Sequence, residues 1–206
     1  MESIWPKVVV AAQAMTITEI IAVVTGILYV LLVVKENRWC WVFGIISSAI
    51  YISISIDFKL YADAFLYSYY VFAGCYGWYT WKDQQKGEDL AISTWTLPQH
   101  LKGIALALVL SWSLYGGLKY FTDASLPFLD AHTTVFSFLA TYMVTQKLLH
   151  NWVYWIVIDL VYIALYANRT LYLTSGMMIV YTLVAIIGWL EWQKAYRRQR
   201  SSNAMD

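Results

Sequence analysis

Slid along itself until Trp41 lies on Trp152, the sequence falls into register with its own second half. With no gap, Trp41, Val42, Ile45, Tyr51, Ile52, Leu60, Tyr61, Tyr70, Gly77, Trp78 and Trp81 meet Trp152, Val153, Ile156, Tyr162, Ile163, Leu171, Tyr172, Tyr181, Gly188, Trp189 and Trp192, while Glu19 meets Asp130. Eleven identities in about forty ungapped positions are hard to obtain by chance, even in apolar sequence, because most involve Trp, Tyr or Gly. A chain with such an internal copy must fold as two like units.

Composition says what the units are made of. The chain is 60% hydrophobic and only 13% charged, which no soluble domain matches, so it reads as a polytopic membrane protein. Apolar stretches run over 16–34, 39–56, 61–81, 98–121, 130–149, 151–166 and 171–192, most of them close to the roughly 20 residues a bilayer core requires. The expected fold class is all-α, with seven transmembrane helices: two three-helix repeats, 16–81 and 130–192, joined by a linker transmembrane helix at 98–121. Three spans reverse the chain and the linker span restores its direction, so the repeats are parallel, related by an axis along the membrane normal. Transporters built this way hold substrate near the midplane, between the halves. Residues 1–15 form an N-terminal interfacial segment, with too short an apolar run for a signal peptide. Residues 82–97 are a polar cytoplasmic linker and 193–206 a basic cytoplasmic tail with a disordered end.

Basic residues orient the spans. Lys7, Lys59, Lys119 and Arg169 fall on the N-terminal side; the other ten of the 14 Lys and Arg fall opposite. Positive charge marks the cytoplasm, so the N-terminus is extracytoplasmic and the C-terminus cytoplasmic. A net charge of +1 gives no basic surface for nucleic acid. Cys40 and Cys75 make neither a metal spacing nor a disulfide framework and read as packing residues. His100, His132 and His150 lie on three elements without paired spacing, and no HExxH, GxSxG or CxxC motif occurs, so neither an enzyme nor a cofactor is expected.

The sixth stretch carries the chemistry. At about 100° per residue, Trp152, Trp155, Asp159, Tyr162 and Tyr166 share one helical face, opposite Val, Ile, Leu and Ala. A carboxylate inside a span costs about 2.5 to 3.5 kcal/mol, so such groups face the bundle interior and line a path or site. The alternative is a structural Asp satisfied by a neighbouring hydroxyl. The halves differ here: Asp159 answers to Ser48 and Trp155 to Gly44. Thr134, Ser137, Thr141 and Thr145 form a hydroxyl stripe on the fifth span where the first copy has Val23, Gly26, Val30 and Val34. That makes the second half the binding half, unless the stripe serves helix packing. Gly44, Gly74, Gly77 and Gly188 read as close-packing positions.

An ordered set of motifs resembles one family over nearly the whole chain: Trp39-Cys40-Trp41-Val42-Phe43-Gly44, Leu60-Tyr61-Ala62-Asp63, Tyr76-Gly77-Trp78-Tyr79-Thr80-Trp81, Asn151-Trp152-Val153-Tyr154-Trp155 with Asp159, and Gly188-Trp189-Leu190-Glu191-Trp192. The family is that of the PnuC-type nicotinamide riboside transporters. The resemblance implies the 3+1+3 plan of full-length SWEET sugar carriers and a homotrimer. It also implies facilitated diffusion of nicotinamide riboside, a vitamin B3 nucleoside and NAD precursor, across a bacterial inner membrane, pulled inward by cytoplasmic phosphorylation. One departure stands out: amide side chains are expected on the third span, which here carries Ser68, Tyr70 and Ala73.

The nucleoside is a flat cationic ring with an amide and a ribose, and aromatic faces attract a desolvated cation by about 2 kcal/mol or more. Trp155 with Tyr162, Tyr166 or Trp189 would stack on the ring, while hydroxyls and Asp159 would bind the ribose. Gln146, Asn151 or tyrosine hydroxyls are left for the carboxamide. The full candidate site adds Trp152, Tyr181 and Thr141 from the second half and Trp41, Ser48 and Tyr51 from the first. The remaining alternatives are a SWEET-like sugar carrier, a carrier of another vitamin, and a membrane-embedded enzyme or electron carrier.

Overall fold

The computed structural model describes residues 6, 8–10, 15–57, 61–81, 90–124, 126–168 and 172–202. Seven helices of 18 to 31 residues hold most of them: α1 (Ile17–Val34), α2 (Cys40–Asp57), α3 (Tyr61–Thr80), α4 (Leu97–Phe121), α5 (Pro127–Thr145), α6 (Asn151–Asn168) and α7 (Tyr172–Ser202). Their ends follow local chemistry. A capping box opens α1: the Glu19 amide donates to the Thr16 hydroxyl at 3.2 Å, and the Glu19 carboxylate accepts the Thr16 amide at 2.6 Å. Thr96 and Gln99 open α4 in the same way, with Pro98 in the first turn, where its missing N–H removes no helical bond.

Helices α1 and α5 end alike. Glu36 (φ 51°) and Lys147 (φ 46°), equivalent positions of the two copies, are the non-glycine residues in the left-handed region among those described. The Asn37 amide donates to the Leu32 carbonyl and the Leu148 amide to the Met143 carbonyl, both at 2.9 Å, which closes each helix in a Schellman turn. That turn stops α5 at Thr145, short of the 149 expected from hydropathy, while Pro127 starts it three residues before 130.

Packing makes a ring. α1 lies on α2 and α2 on α3; α5 lies on α6 and α6 on α7; α3 meets α5 and α7 meets α1. α4 stands outside this ring, against α5. α1, α2, α4 and α7 are long and apolar enough to cross a membrane. α3, α5 and α6 are less apolar because they carry the Tyr, Trp, Ser, Thr and Asp that turn inward. On α6, Val153, Val157 and Leu160 are exposed outward, as the sequence pattern requires.

One end of the ring is closed by tryptophans. Trp41 and Trp81 meet edge to face at 5.3 Å and 82°; Trp152 and Trp192, their counterparts in the second copy, meet at 5.4 Å and 87°. Gly77 lets Trp41 lie on the α3 backbone, and Gly188 does the same for Trp152 on α7, where a Cβ would come within 2.6 Å of the indole. The Trp81 indole N–H donates to the Thr145 carbonyl at 3.2 Å and the Trp192 indole N–H to the Val33 carbonyl at 3.1 Å, so each half is tied to the end of the other's first helix. Lys147 pairs with Glu36 at 3.1 Å and lies 4.9 Å from the Trp81 ring centre.

The segment before α4 joins this end. The Ser93 amide donates to the Lys147 carbonyl, the Leu149 amide donates to the Ser93 carbonyl, and Ile92 is buried in the tryptophan cluster. The stretch expected as a polar linker thus supplies core at Leu90 and Ile92, while its residues 82–89 lie outside the described residues. So do 1–5, 7 and 11–14 of the expected interfacial segment and 203–206 of the expected tail. The described part of that tail is helical, because α7 continues to Ser202 with Ala195 and Tyr196 packed on the core.

Candidate functional site

Inside the ring lies a cavity of about 1060 Å³, enough for a drug-sized ligand. Its floor is Trp41 and Trp152 at the closed end, and Met15, Tyr61, Asp123 and Tyr172 rim it at the other. The inward face of α6 lines it from floor to rim: Trp152, Trp155, Asp159, Tyr162 and Tyr166 all contribute. Asp159 is 5% exposed, and among the described residues no hydrogen bond satisfies it. The helix presents this acid to the cavity one turn from an indole.

Of the other candidates, Tyr181, Thr141, Trp41, Ser48 and Tyr51 also line the cavity. Asn151, Gln146 and Trp189 sit outside it, at or beyond the closed end. Asn151 is fully buried and its side-chain amide donates to the Leu148 carbonyl at 2.7 Å, which starts α6. Gln146 donates to the Tyr76 hydroxyl at 3.1 Å, and Trp189 packs on His150 with ring centres 5.8 Å apart. The sequence suggested Asn151 and Gln146 for their amides and Trp189 for its ring; their height along the helices sets them outside the cavity.

The hydroxyl stripe divides. Thr134, Ser137, Thr141 and Thr145 are all buried, but only Thr141 reaches the cavity. Thr141 donates to the Ser137 carbonyl and Thr145 to the Tyr142 carbonyl, as polar residues between membrane helices commonly do. The stripe is also where tyrosines from neighbouring helices settle: the Tyr70 hydroxyl faces Ser137 and Thr141, and that of Tyr162 faces Thr133 and Ser137.

Sequence reasoning missed several aromatic walls. Tyr70 stands edge-on to Trp155 at 6.5 Å, Tyr51 stacks on Tyr67 at 4.9 Å and 14°, and Tyr29 lines the same space. Tyr70 was recoverable, since it is the first-copy partner of Tyr181; Tyr29 has Ala140 as its partner and gave no such signal. Also unforeseen, His100 and His150 come together with ring centres 4.8 Å apart, and His100 Nδ1 lies 3.0 Å from the Tyr154 hydroxyl. Burial first, and repulsion from His100 second, hold the His150 imidazole below its usual range. This pair lies away from the cavity, and no group of three or more metal-binding side chains occurs among the described residues.

Acids outnumber bases in the described lining. Glu19, Asp63, Asp123, Asp130 and Asp159 contribute carboxylates, and no Lys, Arg or His lines the cavity among the described residues. The arrangement is chemically suited to bind and pass a ligand, with an aromatic floor and acids above it.

Known proteins match this chain over nearly its full length. A family model described as nicotinamide mononucleotide transporter matches residues 16–194. The nicotinamide riboside transporter PnuC of Escherichia coli is 25% identical over 213 residues, covering 91% of this chain and 89% of that protein. The protein of the same name from Neisseria mucosa is 28% identical over 196 residues, covering 86% and 72%. A crystal structure of the vitamin B3 transporter PnuC superposes with a TM-score of 0.73 at 27% identity, covering 88% of this chain and 82% of that one. With the family model spanning well over half of its length, the chain belongs to the nicotinamide mononucleotide transporter family, a family of membrane transporters and not of enzymes.

Proposed function

We propose that this chain carries nicotinamide riboside, the substrate its relatives are named for, and not the phosphorylated mononucleotide of the family description. The observation that carries this choice is a cavity lined by aromatic rings and five carboxylates with no basic side chain among the described residues. A pyridinium ring gains from both features, through cation–π attraction and opposite charge. A phosphate dianion would meet like charge from Glu19 and Asp159 in the described lining. In this reading Trp155 and Asp159, one turn apart on α6, contact the ring and the ribose.

We further infer two parallel three-helix repeats joined by α4, in seven spans on the plan of the SWEET carriers. Support comes from matched contacts at equivalent positions of the two copies: two tryptophan pairs, two glycine–indole contacts and two cross-half indole bonds. The distribution of Lys and Arg favours a bacterial inner membrane orientation with the N-terminus periplasmic and the C-terminus cytoplasmic. The cavity then opens to the periplasm and the tryptophan cluster closes the cytoplasmic end. Transport is facilitated diffusion, completed by phosphorylation of the product in the cytoplasm, and the family resemblance favours a homotrimer.

Reconstitution tests the assignment. Liposomes bearing the purified protein should equilibrate nicotinamide riboside after sodium and proton gradients are dissipated, with no competition from the mononucleotide or glucose. Accumulation against a gradient without a kinase would contradict facilitated diffusion. Competition by glucose alone would mean a sugar carrier. A reporter fused after Arg200 should be cytoplasmic.

A further inference from the structure

Trp155 has no aromatic partner at the equivalent place in the first half, because its first-copy counterpart is Gly44 on α2. That place is nevertheless not empty. The ring of Tyr29, from α1, covers Gly44 so closely that a Cβ there would lie 2.8 Å from Tyr29 Cδ2 and 3.2 Å from Cε2. The second-copy counterpart of Tyr29 is Ala140, fully buried. Each half therefore carries one large and one small residue at this level, in opposite order: Tyr29 over Gly44 in the first, Ala140 with Trp155 in the second.

Depth agrees with this pairing. Tyr29 lies five residues before the end of α1 and Trp155 four after the start of α6, so both stand roughly 6 to 8 Å in from the closed end at about 1.5 Å per residue. Both line the cavity and both rest on the tryptophan cluster. Tyr29 packs on Trp41 at 5.9 Å, and Tyr70 approaches Trp155 from the side. α2 and α6 are the middle helices of the two halves, on opposite sides of the ring. An aromatic surface borrowed from α1 thus stands on α2 where a copy of Trp155 would stand.

We propose that Tyr29 is a ligand-binding residue that walls the planar-ring slot opposite Trp155, and that Gly44 is a specificity-determining position because only a residue without Cβ seats the Tyr29 ring. This rests on the assignment of the cavity to a pyridinium nucleoside. Affinity for a flat aromatic cation then comes from both halves.

Calorimetry with nicotinamide riboside on the full-length purified protein, alongside melting temperatures, tests it. Tyr29→Leu keeps bulk but removes the ring and should weaken binding about tenfold or more, which is about 1.4 kcal/mol. Tyr29→Phe should stay within about threefold of wild type, since the ring face carries the attraction. Gly44→Ala should weaken binding on its own yet add nothing in the Tyr29→Leu background, the non-additivity expected when two residues act through one contact. Gly116→Ala, where nothing lies within 4 Å, is the silent control. Wild-type affinity in Tyr29→Leu, or additive losses in the double variant, would overturn the proposal. Should Tyr29→Leu fail to fold, Gly44→Ala decides: unchanged affinity in a stable protein overturns it, and lowered affinity at an unchanged melting temperature supports it. No binding by the wild-type protein would instead overturn the nucleoside assignment itself.

Discussion

The two ends of the helix ring obey different rules. At the closed end the halves are near copies: paired tryptophans at 5.3 and 5.4 Å, the same Schellman turn on α1 and α5, and indole bonds exchanged between halves. Toward the cavity the likeness breaks, with Gly44 against Trp155, Ser48 against Asp159 and Tyr29 against Ala140. Like residues are kept where the halves lock to each other; they diverge along the cavity, where under the proposed function one ligand without two-fold symmetry is held. Even the lock has one asymmetric element, since Glu36 and Lys147 are equivalent positions of opposite charge, paired to each other at 3.1 Å. Two acids or two bases there would repel.

The difference predicts which substitutions harm stability and which harm binding. The largest effect belongs to the closed end. Gly188→Ala would push a methyl into the Trp152 indole, 2.6 Å from the nearest ring atoms, with helix backbone on the other side. Overpacking of this kind costs about 1 to 3 kcal/mol. A marked fall in melting temperature is expected, against none for Gly116→Ala, which has open space; an equal response at both would mean that the tryptophan seat is not tight.

In the cavity the order reverses. Trp155→Ala removes an indole from a wall that is only partly buried, so the fold should hold while nicotinamide riboside affinity drops by at least about tenfold, or 1.4 kcal/mol. Titration calorimetry measures this directly, and unchanged affinity in a well-folded variant would remove Trp155 from the site.

How much of this was legible in the sequence depends on what kind of information each feature needs. Class, helix positions and the face of α6 were readable because hydropathy and helical phase are local. The closed end was readable in outline, since its Trp and Gly recur at one fixed offset, Trp41 with Trp152 and Gly77 with Gly188. Height was not: Asn151, Gln146 and Trp189 have the right character, but lie past the floor. Tyr29 was hidden for another reason. Its role depends on an absence on a neighbouring helix, Gly44, and pattern reading credits a glycine with packing rather than with the side chain it admits. His100 and His150 escaped because a long stretch of sequence separates two side chains that the fold brings to 4.8 Å.

The asymmetric lock can be tested by reversal. Lys147→Met leaves the Glu36 carboxylate without its partner in a half-closed setting, the two side chains being 4% and 19% exposed, and should lower the melting temperature. Exchanging the pair, Glu36→Lys with Lys147→Glu, should recover most of the loss, because both positions hold the same left-handed turn. The coupling expected between the two sites is about 1 kcal/mol, within the usual range for contacting residues. A double variant no better than the singles would show that the orientation of the charges matters, for instance through the Lys147 contact with Trp81.

The smallest effect is the most informative about mechanism. Asp159→Asn keeps size and hydrogen-bonding capacity and removes only the charge, so its effect must be read as a difference between two ligands. One is cationic nicotinamide riboside and the other its neutral reduced analogue, which has nearly the same shape. A carboxylate that acts through the ligand's positive charge loses more with the cation. Even screened as fully as in water, unit charges about 6 Å apart interact by about 0.7 kcal/mol, so the excess loss should be roughly threefold or greater. A carboxylate that acts by fixing helices instead weakens both ligands equally and lowers the melting temperature. Its place among aromatic rings, buried and without a hydrogen-bond partner among the described residues, favours the first outcome. Equal losses with both ligands would move Asp159 from the binding wall to the scaffold and leave the recognition of charge to the cation–π contacts alone.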